Sequence, residues 1–529
     1  MADSVSQVPL RHGEFYFDPP PAQWKDQVLR NRDRLSKETF WGQAPAQVRA
    51  ALKIPTDRPV IMVGHQPVFF HPGLWAKSLA ASVLAEQVGG VACQKLTDTA
   101  LGLEYLHYLP EVEEAGQSRR RPLEFFQSRE GQELVKTMAY AHLGAPEKAA
   151  FQKIMEEGKT YAPPEVRENL KFFEDRLAAG LRDAKSWNDY YLYTMGILDE
   201  LSGTQRLYFQ GSKFWSSEPF QEFVAHWLLN LPALTDAYNH SLNEYRAQHQ
   251  IKHELTPLPN LKFEDWWFEL PFWGLNKYHQ RHSIWAKLDG DRMVLRMKGH
   301  DGTYSISTKD FVRELKALPI AFWPKALPQT LFCRMYLCDY FIHGVGGGLY
   351  ERVNDLLWEK IFRSKAPDFG VVTATWRVDP VQSAKIEEIT RHEERILFWE
   401  RALSKNPEYV FTRAEGWEKE LPEFIRKEFA QVLARPDLAK LAAEKAKCVE
   451  RLKDASQRAA ASKRIPEINQ ALAAEYDPLL KALEKGLMDI EKLKKVQDVL
   501  AFREYPFFAH SPKIYPEMKK KVEEAFGQA

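Results

Sequence analysis

The sequence contains few cysteines for its length. Only four occur among 529 residues, at Cys93, Cys333, Cys338 and Cys448, and their spacing matches neither a disulfide framework nor a zinc module. This scarcity argues against a small cross-linked secreted protein and predicts a cytoplasmic one. Residues 1–14 contain no apolar segment, so we also expect no signal peptide.

An excess of charge of either sign is also missing. The 73 Lys and Arg residues nearly balance the 72 Asp and Glu residues, which gives a formal net charge of +1. Dedicated nucleic-acid binders are strongly basic, so we expect no nucleic-acid partner. The most apolar stretch, residues 74–91, is interrupted by Lys77 and Glu86 and falls short of a membrane span of about 20 residues. We therefore expect no membrane partner.

Apolar residues are nevertheless plentiful, because 44% of the chain is hydrophobic and 12% is aromatic. At the usual domain size, this length corresponds to about two to four domains. We expect the chain to be organised in four parts. These are an N-terminal wrap (residues 1–58), an α/β core (59–380), a helical domain (381–503) and a tail that packs on the core (504–529).

The core begins with a pattern typical of a parallel sheet. Residues 59–63 form a continuous apolar run, residues 74–88 have helical periodicity, and the segment 91–96 after Gly89-Gly90 is interpreted as a second strand. This order predicts a βαβ unit and a Rossmann-like parallel sheet. Two insertions are expected, a helical one at about 110–201 and a small β one at about 262–310, where 284–288 and 293–297 flank a hairpin turn. The core should resume with a strand at 320–322, a helix at 329–341, a glycine loop, a helix at 349–362 and a strand at 370–378.

The composition changes after Pro380 to Glu, Lys, Ala and Leu. Apolar residues recur at helical intervals, as at Ile389, Ile396 and Leu403. This pattern predicts an antiparallel helical coiled-coil stalk through which two copies would form a homodimer. Pro478 should kink or divide the last long helix, because proline has no backbone donor.

The first candidate site follows the first predicted strand. Gly64, His65 and Gln66 lie where a parallel strand would end, and His71 precedes the next helix. Ligands usually bind at this edge of a sheet. Imidazoles there would stabilise negative charge or carry a proton, so we predict that His65 and His71 are catalytic and that Gly64 and Gln66 contact a small polar substrate. The alternative is that both histidines only cap backbone groups in a proline-fixed turn.

The second candidate site is rich in glycine. Four glycines in five positions suggest a sharp turn or a close approach to a ligand, although the pattern is neither a Walker A motif nor a dinucleotide fingerprint. Glu351 would lie on the following helix and bind a substrate amine. The alternative is a tight helix-to-helix turn without a ligand. The predicted substrate-binding residues are His343, Gly344, Gly346, Gly347, Gly348 and Glu351.

Asp98 completes the predicted set, because it follows the second predicted strand at the same edge of the sheet. It would contact a hydroxyl or an amine of the substrate, and the alternative is a helix N-cap. No third ligand of a suitable type stands near the two histidines in sequence, so no metal site is predicted. Cys333 and Cys338 are interpreted as small core residues.

Together these residues resemble the bacillithiol synthase family, the cysteine ligases of bacillithiol biosynthesis. The segment from Gly64 to Gly73 resembles the family's Gly-Gln-Gln segment with its following Gly-Pro turn. Pro324, Gln329 and residues 343–348 resemble its later Arg-Pro, Gln and Gly-Gly-x-Gly-Glu segments. This chain departs from the pattern at His65, at Trp323, and at Asp98, where the family has an acidic cluster.

The resemblance implies a Rossmann-like core with insertions and a C-terminal coiled coil. It also implies a ligase that joins the carboxyl group of cysteine to the amine of a glucosaminyl malate, in the biosynthesis of a low-molecular-weight thiol. The two-histidine loop is similar to that of class I synthetase-like nucleotidyltransferases, which leaves ATP or another nucleotide open as a cofactor. A non-catalytic ligand sensor that dimerises through the coiled coil is the remaining alternative.

Overall fold

The computed structural model describes residues 8–102, 107–112, 118–126, 128–251, 258–276, 279–298, 302–383, 385–412 and 421–527. The chain divides into two compact units. The first unit comprises Met1–Leu109, Pro122–Val378 and Arg503–Ala529. The second unit comprises Pro110–Arg121 and Asp379–Phe502. Strands and helices alternate only in the first unit.

The strands of the described residues are, in chain order, β1 (Glu14–Asp18), β2 (Val60–His65), β3 (Val91–Leu96), β4 (Tyr108–Glu111), β5 (Arg119–Pro122), β6 (Leu207–Gln210), β7 (Phe263–Glu264), β8 (Trp267–Leu275), β9 (Arg281–Asp289), β10 (Arg292–Met297), β11 (Tyr304–Ser307), β12 (Ala321–Pro324), β13 (Tyr340–His343) and β14 (Phe369–Thr375).

The α-helices of the first unit are α1 (Trp24–Leu35), α2 (Pro45–Ala51), α3 (Pro72–Gln87), α4 (Arg129–Thr137), α5 (Lys148–Tyr161), α6 (Pro164–Asp183), α7 (Trp187–Ser202), α8 (Gly211–Trp215), α9 (Glu218–Leu229), α10 (Leu231–Gln248), α11 (Phe311–Ala317), α12 (Ala326–Phe332), α13 (Val345–Phe362) and, after the second unit, α21 (Ile514–Ala525). Those of the second unit are α14 (Pro380–Ser383), α15 (Ile386–Lys405), α16 (Tyr409–Thr412), α17 (Glu423–Leu433), α18 (Pro436–Arg451), α19 (Arg458–Ala474) and α20 (Asp477–Leu500).

Six of these strands form the main sheet, in the order β1-β14-β13-β2-β3-β6. β1 runs antiparallel to β14, and the other five strands are parallel. β13 and β14 are buried along their whole length, as are the first four residues of β2. Continuous apolar runs are what a sheet covered on both faces requires. The strands predicted at 59–63 and 91–96 are therefore confirmed within two residues.

The N-terminal segment is more than a wrap around the core, because β1 extends the main sheet. Its five residues pair with β14, from Glu14 opposite Thr375 to Asp18 opposite Val371. The helix α1 follows this strand. A sequence rich in proline and charge does not reveal a short edge strand, since its pairing partner lies some 350 residues away.

The strand predicted at 320–322 forms, but in a different sheet. β12 pairs antiparallel with β8 in a second sheet, of order β11-β10-β9-β8-β12. Phe322 and Phe272 are both fully buried in the same core, and this shared packing draws β12 to β8. The predicted hairpin is confirmed as β9 and β10, joined at Gly290 with a φ of +62°.

The helix predicted at 329–341 is the largest error in the secondary structure. α12 ends at Phe332, a π-helical turn spans Cys333–Leu337, and Tyr340–His343 is the strand β13. Asp339 lies between the helical turn and β13. Its carboxylate accepts hydrogen bonds from Val60 N and from the buried guanidinium of Arg49. This anchor places β13 beside β2.

The second unit consists of packed helices and the parts of β4 and β5 that fall within Pro110–Arg121. α15 packs against α20 and α18 against α19. Pro478 divides the helical region, since α19 ends at Ala474 and α20 begins at Asp477. The aromatic tail belongs to the first unit, where Phe507 is buried and its N–H donates to Phe70 O at 2.7 Å. No helix among the described residues is both long and apolar enough to cross a membrane.

Candidate functional site

The structure brings the two predicted segments together. Val63 of β2 pairs with Ile342 of β13 in parallel register, so the two strands end side by side at His65 and His343. α3 begins seven residues after His65, and α13 begins two residues after His343. We call this region, defined by Gly64, His65, His343 and Gly344, the β2–β13 edge.

His71 caps the first turn of α3. Its Nδ1 accepts a hydrogen bond from Gly73 N at 3.1 Å, so the ring is neutral and carries its proton on Nε2. Burial lowers the pKa of His71 well below its ordinary value, which maintains that state. A Cβ on Gly73 would lie 2.8 Å from Ala374 O, so glycine allows the helix to start against β14. The structure gives His71 the capping role that was the alternative to catalysis.

His65 lies at the end of β2 and is half-buried. Its Nδ1 lies 3.1 Å from Gln66 O, and because a carbonyl only accepts, Nδ1 carries the proton. The ring also contacts Phe70 edge-on. Burial, reinforced by the charge of Lys77, lowers the pKa of His65 well below its ordinary value. His65 is therefore a neutral side chain at the β2–β13 edge.

Two buried lysines occupy the edge, and the sequence analysis did not select them. Lys77 on α3 is 3% exposed, and its Nζ donates to Gly64 O at 3.2 Å. Lys95 on β3 is fully buried, and its Nζ donates to Thr97 Oγ1 at 3.0 Å. A Cβ on Gly64 would lie 3.2 Å from Lys95 Cε. Neither amine forms an ion pair with a carboxylate of the described residues.

Burial of the two lysines governs the electrostatics of the edge. It lowers the pKa of Lys77 to about 7, with a further contribution from the charge of Lys95. It also lowers the pKa of Lys95, although nearby Asp98 opposes the effect. The sequence did contain a signal for these residues. Lys77 stands in an almost wholly apolar helix and Lys95 in a buried strand, where an unpaired charge is rare.

The glycines belong to the first turn of α13, so the predicted loop is a helix start. Gly344 is the N-cap, and the predicted helix at 349–362 begins four residues earlier than expected. A Cβ on Gly348 would lie 2.5 Å from Val371 Cγ2, whereas Gly346 faces open space. The first N–H groups of a helix lack intrahelical acceptors and attract anions. A Cβ on Gly344 would lie 3.7 Å from Lys77 Cδ, so this helix start is next to that lysine.

Glu351 already has a cationic partner within the protein. Arg334 Nη1 donates to Glu351 Oε1 at 2.6 Å, and Nη2 donates to Asp355 at 2.8 Å. Burial alone would raise the pKa of Glu351, but the interactions with Arg334 and His343 together outweigh it and lower the value to about 2. The carboxylate predicted to hold a substrate amine therefore belongs to an internal ion pair.

His343 faces this ion pair. Its Nε2 lies 3.2 Å from Glu351 Oε2, but the orientation falls short of a hydrogen bond. A Cβ on Gly347 would lie 2.8 Å from His343 Nδ1. Burial lowers the pKa of His343, and Glu351 opposes the effect. Of the predicted residues around α13, His343 and the glycines therefore remain candidates to face a ligand.

Asp98 is fully buried and has three internal donors. It accepts from Ser212 N at 2.8 Å, from Ser212 Oγ at 2.6 Å and from Asn188 Nδ2 at 3.1 Å. These contacts cap the start of α8 from a distant segment. Asp98 is thus a structural anchor that also lies near Lys95, although the N-cap residue of α8 is Gln210 and not Asp98.

A cavity of about 460 Å³ lies at the amino end of β13, the edge opposite the candidate site. It is lined by Arg32, Arg49 and Asp339, among others. Arg49 makes two hydrogen bonds to Asp339, at 3.0 and 3.1 Å, and both side chains are buried. Because these two charged side chains pair with each other, we interpret the cavity as a structural feature and not as a ligand site.

A comparison with protein-family models and with curated proteins finds no match to the chain. Among the described residues, no group of three or more His, Cys, Asp or Glu side chains is arranged to hold a metal ion. The side chains of the β2–β13 edge are therefore the features of the chain that indicate a function.

Proposed function

We propose that the chain is an enzyme with a Rossmann-like core that binds a small anionic substrate at the β2–β13 edge and forms a carbon–nitrogen bond. The order of the strands supports a Rossmann-like core with a ligand site at this edge. Numbered along the chain, the five parallel strands lie in the order three, two, one, four, five, from β6 to β14. In doubly wound folds of this order, ligands bind between strands one and four. Here these strands are β2 and β13.

The observation that carries the proposal is the pair of buried lysines. An ammonium group removed from water without a carboxylate partner costs several kcal/mol. A bound carboxylate or phosphate would supply the counter-charge that Lys77 lacks, and it would add to that of Asp98 near Lys95. The start of α13 would add backbone donors for the same anion. Three independent elements, α3, β3 and α13, thus favour negative charge at one place.

The reaction follows from the resemblance to the bacillithiol synthase family. The substrates it implies, cysteine and a glucosaminyl malate, together carry carboxylates and an amine. A cationic edge suits the carboxylates, and a lysine that can lose its proton suits the amine. The long helices α15 and α20 of the second unit support the family's coiled-coil domain as part of the proposal.

Nucleotide binding is a second candidate, because the same strand order and the same helix start accommodate phosphates. ATP would then either be consumed in the reaction or regulate it. If a ligand binds and no product forms from any combination, the chain is the ligand sensor considered as an alternative.

Isothermal calorimetry on the full chain tests the proposal with cysteine, glucosaminyl malate and ATP as separate titrants. We expect at least one to bind the wild type, and Lys95→Met to weaken that binding by tenfold or more. Lys213→Met is the matched control, since Lys213 is an exposed lysine on α8, and it should leave binding unchanged. Mass spectrometry of the mixed substrates then detects the amide product. Equal binding by the wild type and Lys95→Met would refute the site.

A further inference from the structure

The two lysines of the edge differ in their surroundings. Lys95 donates to a hydroxyl, Thr97 Oγ1, and the carboxylate of Asp98 favours its charge. Lys77 donates to a single carbonyl, Gly64 O, and forms no ion pair with a described carboxylate. One hydrogen bond to a carbonyl is available to a neutral amine as well as to an ammonium group. If only one of the two amines is protonated to an ammonium group, it is the amine of Lys95.

The titratable groups that face Lys77 come from four elements. They are Lys95 on β3, His65 at the end of β2, His343 on β13 and His71 at the start of its own helix. Each is a base, cationic or neutral, and none offers negative charge. Protonation of Lys77 would place a second cation near that of Lys95, on a side chain that is only 3% exposed. The surroundings therefore favour the neutral amine near pH 7.

The position of Lys77 relative to α13 would allow this neutral amine to react with a ligand bound at the helix start. Lys77 Cδ lies 3.7 Å from the place of a Cβ on Gly344, the N-cap of the helix. An anionic group bound at the first turn of α13 would lie beside the lysine side chain. A second group of the same ligand, or of a co-substrate, would then lie within reach of Nζ.

We propose that Lys77 is the proton acceptor of this site, and that it deprotonates the ammonium group of an amine substrate bound at the β2–β13 edge. This inference rests on the proposed function. In the step, one N–H bond of the substrate ammonium breaks, and its electron pair remains on the substrate nitrogen as the nucleophile. The lone pair of Lys77 Nζ forms the new N–H bond. An anion at the start of α13 stabilises the lysinium that results.

Carbon-13 NMR of protein labelled at lysine Cε tests the protonation state directly. The Lys77 resonance is identified by its absence from the Lys77→Arg variant. We expect this resonance to titrate with a midpoint near pH 7, in line with the pKa of about 7, while exposed lysines titrate above about pH 9. A Lys77 resonance that stays unchanged up to pH 9 would overturn the inference.

Inorganic phosphate and ATP serve as probes for the link to substrate. Binding of either anion should raise the Lys77 midpoint by about one pH unit or more, as expected for an opposite charge nearby. Calorimetry in two buffers with different heats of ionisation should detect proton uptake by the wild type and none by Lys77→Arg, because arginine keeps its proton. If Lys77 is neutral but the protein binds none of the titrants, the proposed function is refuted. Lys77 would then have no substrate to deprotonate. Anion binding without any shift of Lys77 would refute the inference alone.

Discussion

His343 and Glu351 meet at the start of α13, with 3.2 Å between Nε2 and Oε2, while Arg334 holds the other carboxylate oxygen of Glu351 at 2.6 Å. All three side chains are buried. Arg334 comes from the π-helical turn that precedes β13. This cluster therefore joins the residues before and after β13, the strand that places His343 at the β2–β13 edge.

Removing the carboxylate should destabilise the fold. In Glu351→Gln, Arg334 keeps Asp355 but loses its buried partner, and we expect a loss of about 3 kcal/mol in the free energy of unfolding. Urea denaturation at pH 7 measures the loss. A change below about 0.5 kcal/mol would show that the ion pair contributes little.

The lowered pKa of Glu351 predicts that the stability difference between the wild type and Glu351→Gln depends on pH. Since the folded pKa of Glu351 is lowered to about 2 from an ordinary 4.5, its contribution to stability is complete above about 4.5 and is lost as the pH falls through about 2. The wild type and Glu351→Gln should therefore become more alike in stability as the pH falls from 5 towards 3. Parallel stability curves over this range would contradict the assignment.

Replacing either buried lysine with methionine should stabilise the protein. Lys77→Met and Lys95→Met keep most of the side-chain volume and remove a buried amine that forms no ion pair with a described carboxylate, so we expect gains of about 1–3 kcal/mol each. For Lys77 the folded pKa of about 7 lies below the ordinary 10.5. The destabilisation that the buried ammonium group of Lys77 causes in the wild type is absent above about pH 10.5 and complete below about pH 7. The advantage of Lys77→Met should therefore shrink as the pH rises from 7 to 10.

A paired lysine provides the matched control. Lys445 of the second unit is 3% exposed, like Lys77, but its Nζ donates to Glu408 at 2.5 Å. Lys445→Met leaves that carboxylate buried and unpaired, and it should cost about 3 kcal/mol. Opposite signs for the two substitutions, measured by urea denaturation, would support the absence of a partner at Lys77. Equal losses would contradict it.

Much of the main sheet was predictable from local sequence. β2 begins with a continuous apolar run, β3 begins with Val91-Ala92-Cys93, and the Gly89-Gly90 pair marks the end of the helix between them. β13 was not predictable in this way, because Tyr340, Phe341 and Ile342 follow an apolar helix without a break and continue its spacing. Only pairing with β2 and the anchor at Asp339 identify these residues as a strand. The sequence likewise contains nothing that assigns β12 to the second sheet.

The candidate site was predictable in position and less so in chemistry. Both segments follow strands of one parallel sheet, so sequence reasoning selected the neighbourhood of His65 and His343. It did not select Lys77 and Lys95, since a local pattern does not show whether a charged side chain meets a counter-charge in space. The same limit applies to Glu351, whose partner Arg334 lies on a helix that sequence reasoning extended too far.

The capping role of His71 predicts a stability effect. His71→Ala removes the acceptor for Gly73 N and should cost about 1 kcal/mol, whereas His71→Asn supplies another strong N-cap and should recover most of this loss. Thermal unfolding of the three proteins measures the difference. If His71→Ala abolished turnover and left stability unchanged, the result would support the predicted catalytic role of this histidine.

The glycines of α13 should respond differently to alanine. Gly348→Ala places a methyl group 2.5 Å from Val371 Cγ2 on β14, and overpacking of this kind costs about 1–3 kcal/mol. Gly346→Ala meets open space, and the helix propensity of alanine should stabilise it by about 0.5–1 kcal/mol. Urea denaturation separates these effects, and anion binding by Gly346→Ala adds a second measurement. Because this variant keeps every backbone N–H of the first turn, it should still bind the anion unless the ligand needs the space above Gly346. Loss of stability in both variants would mean that the first turn of α13 is packed more tightly than the structure indicates.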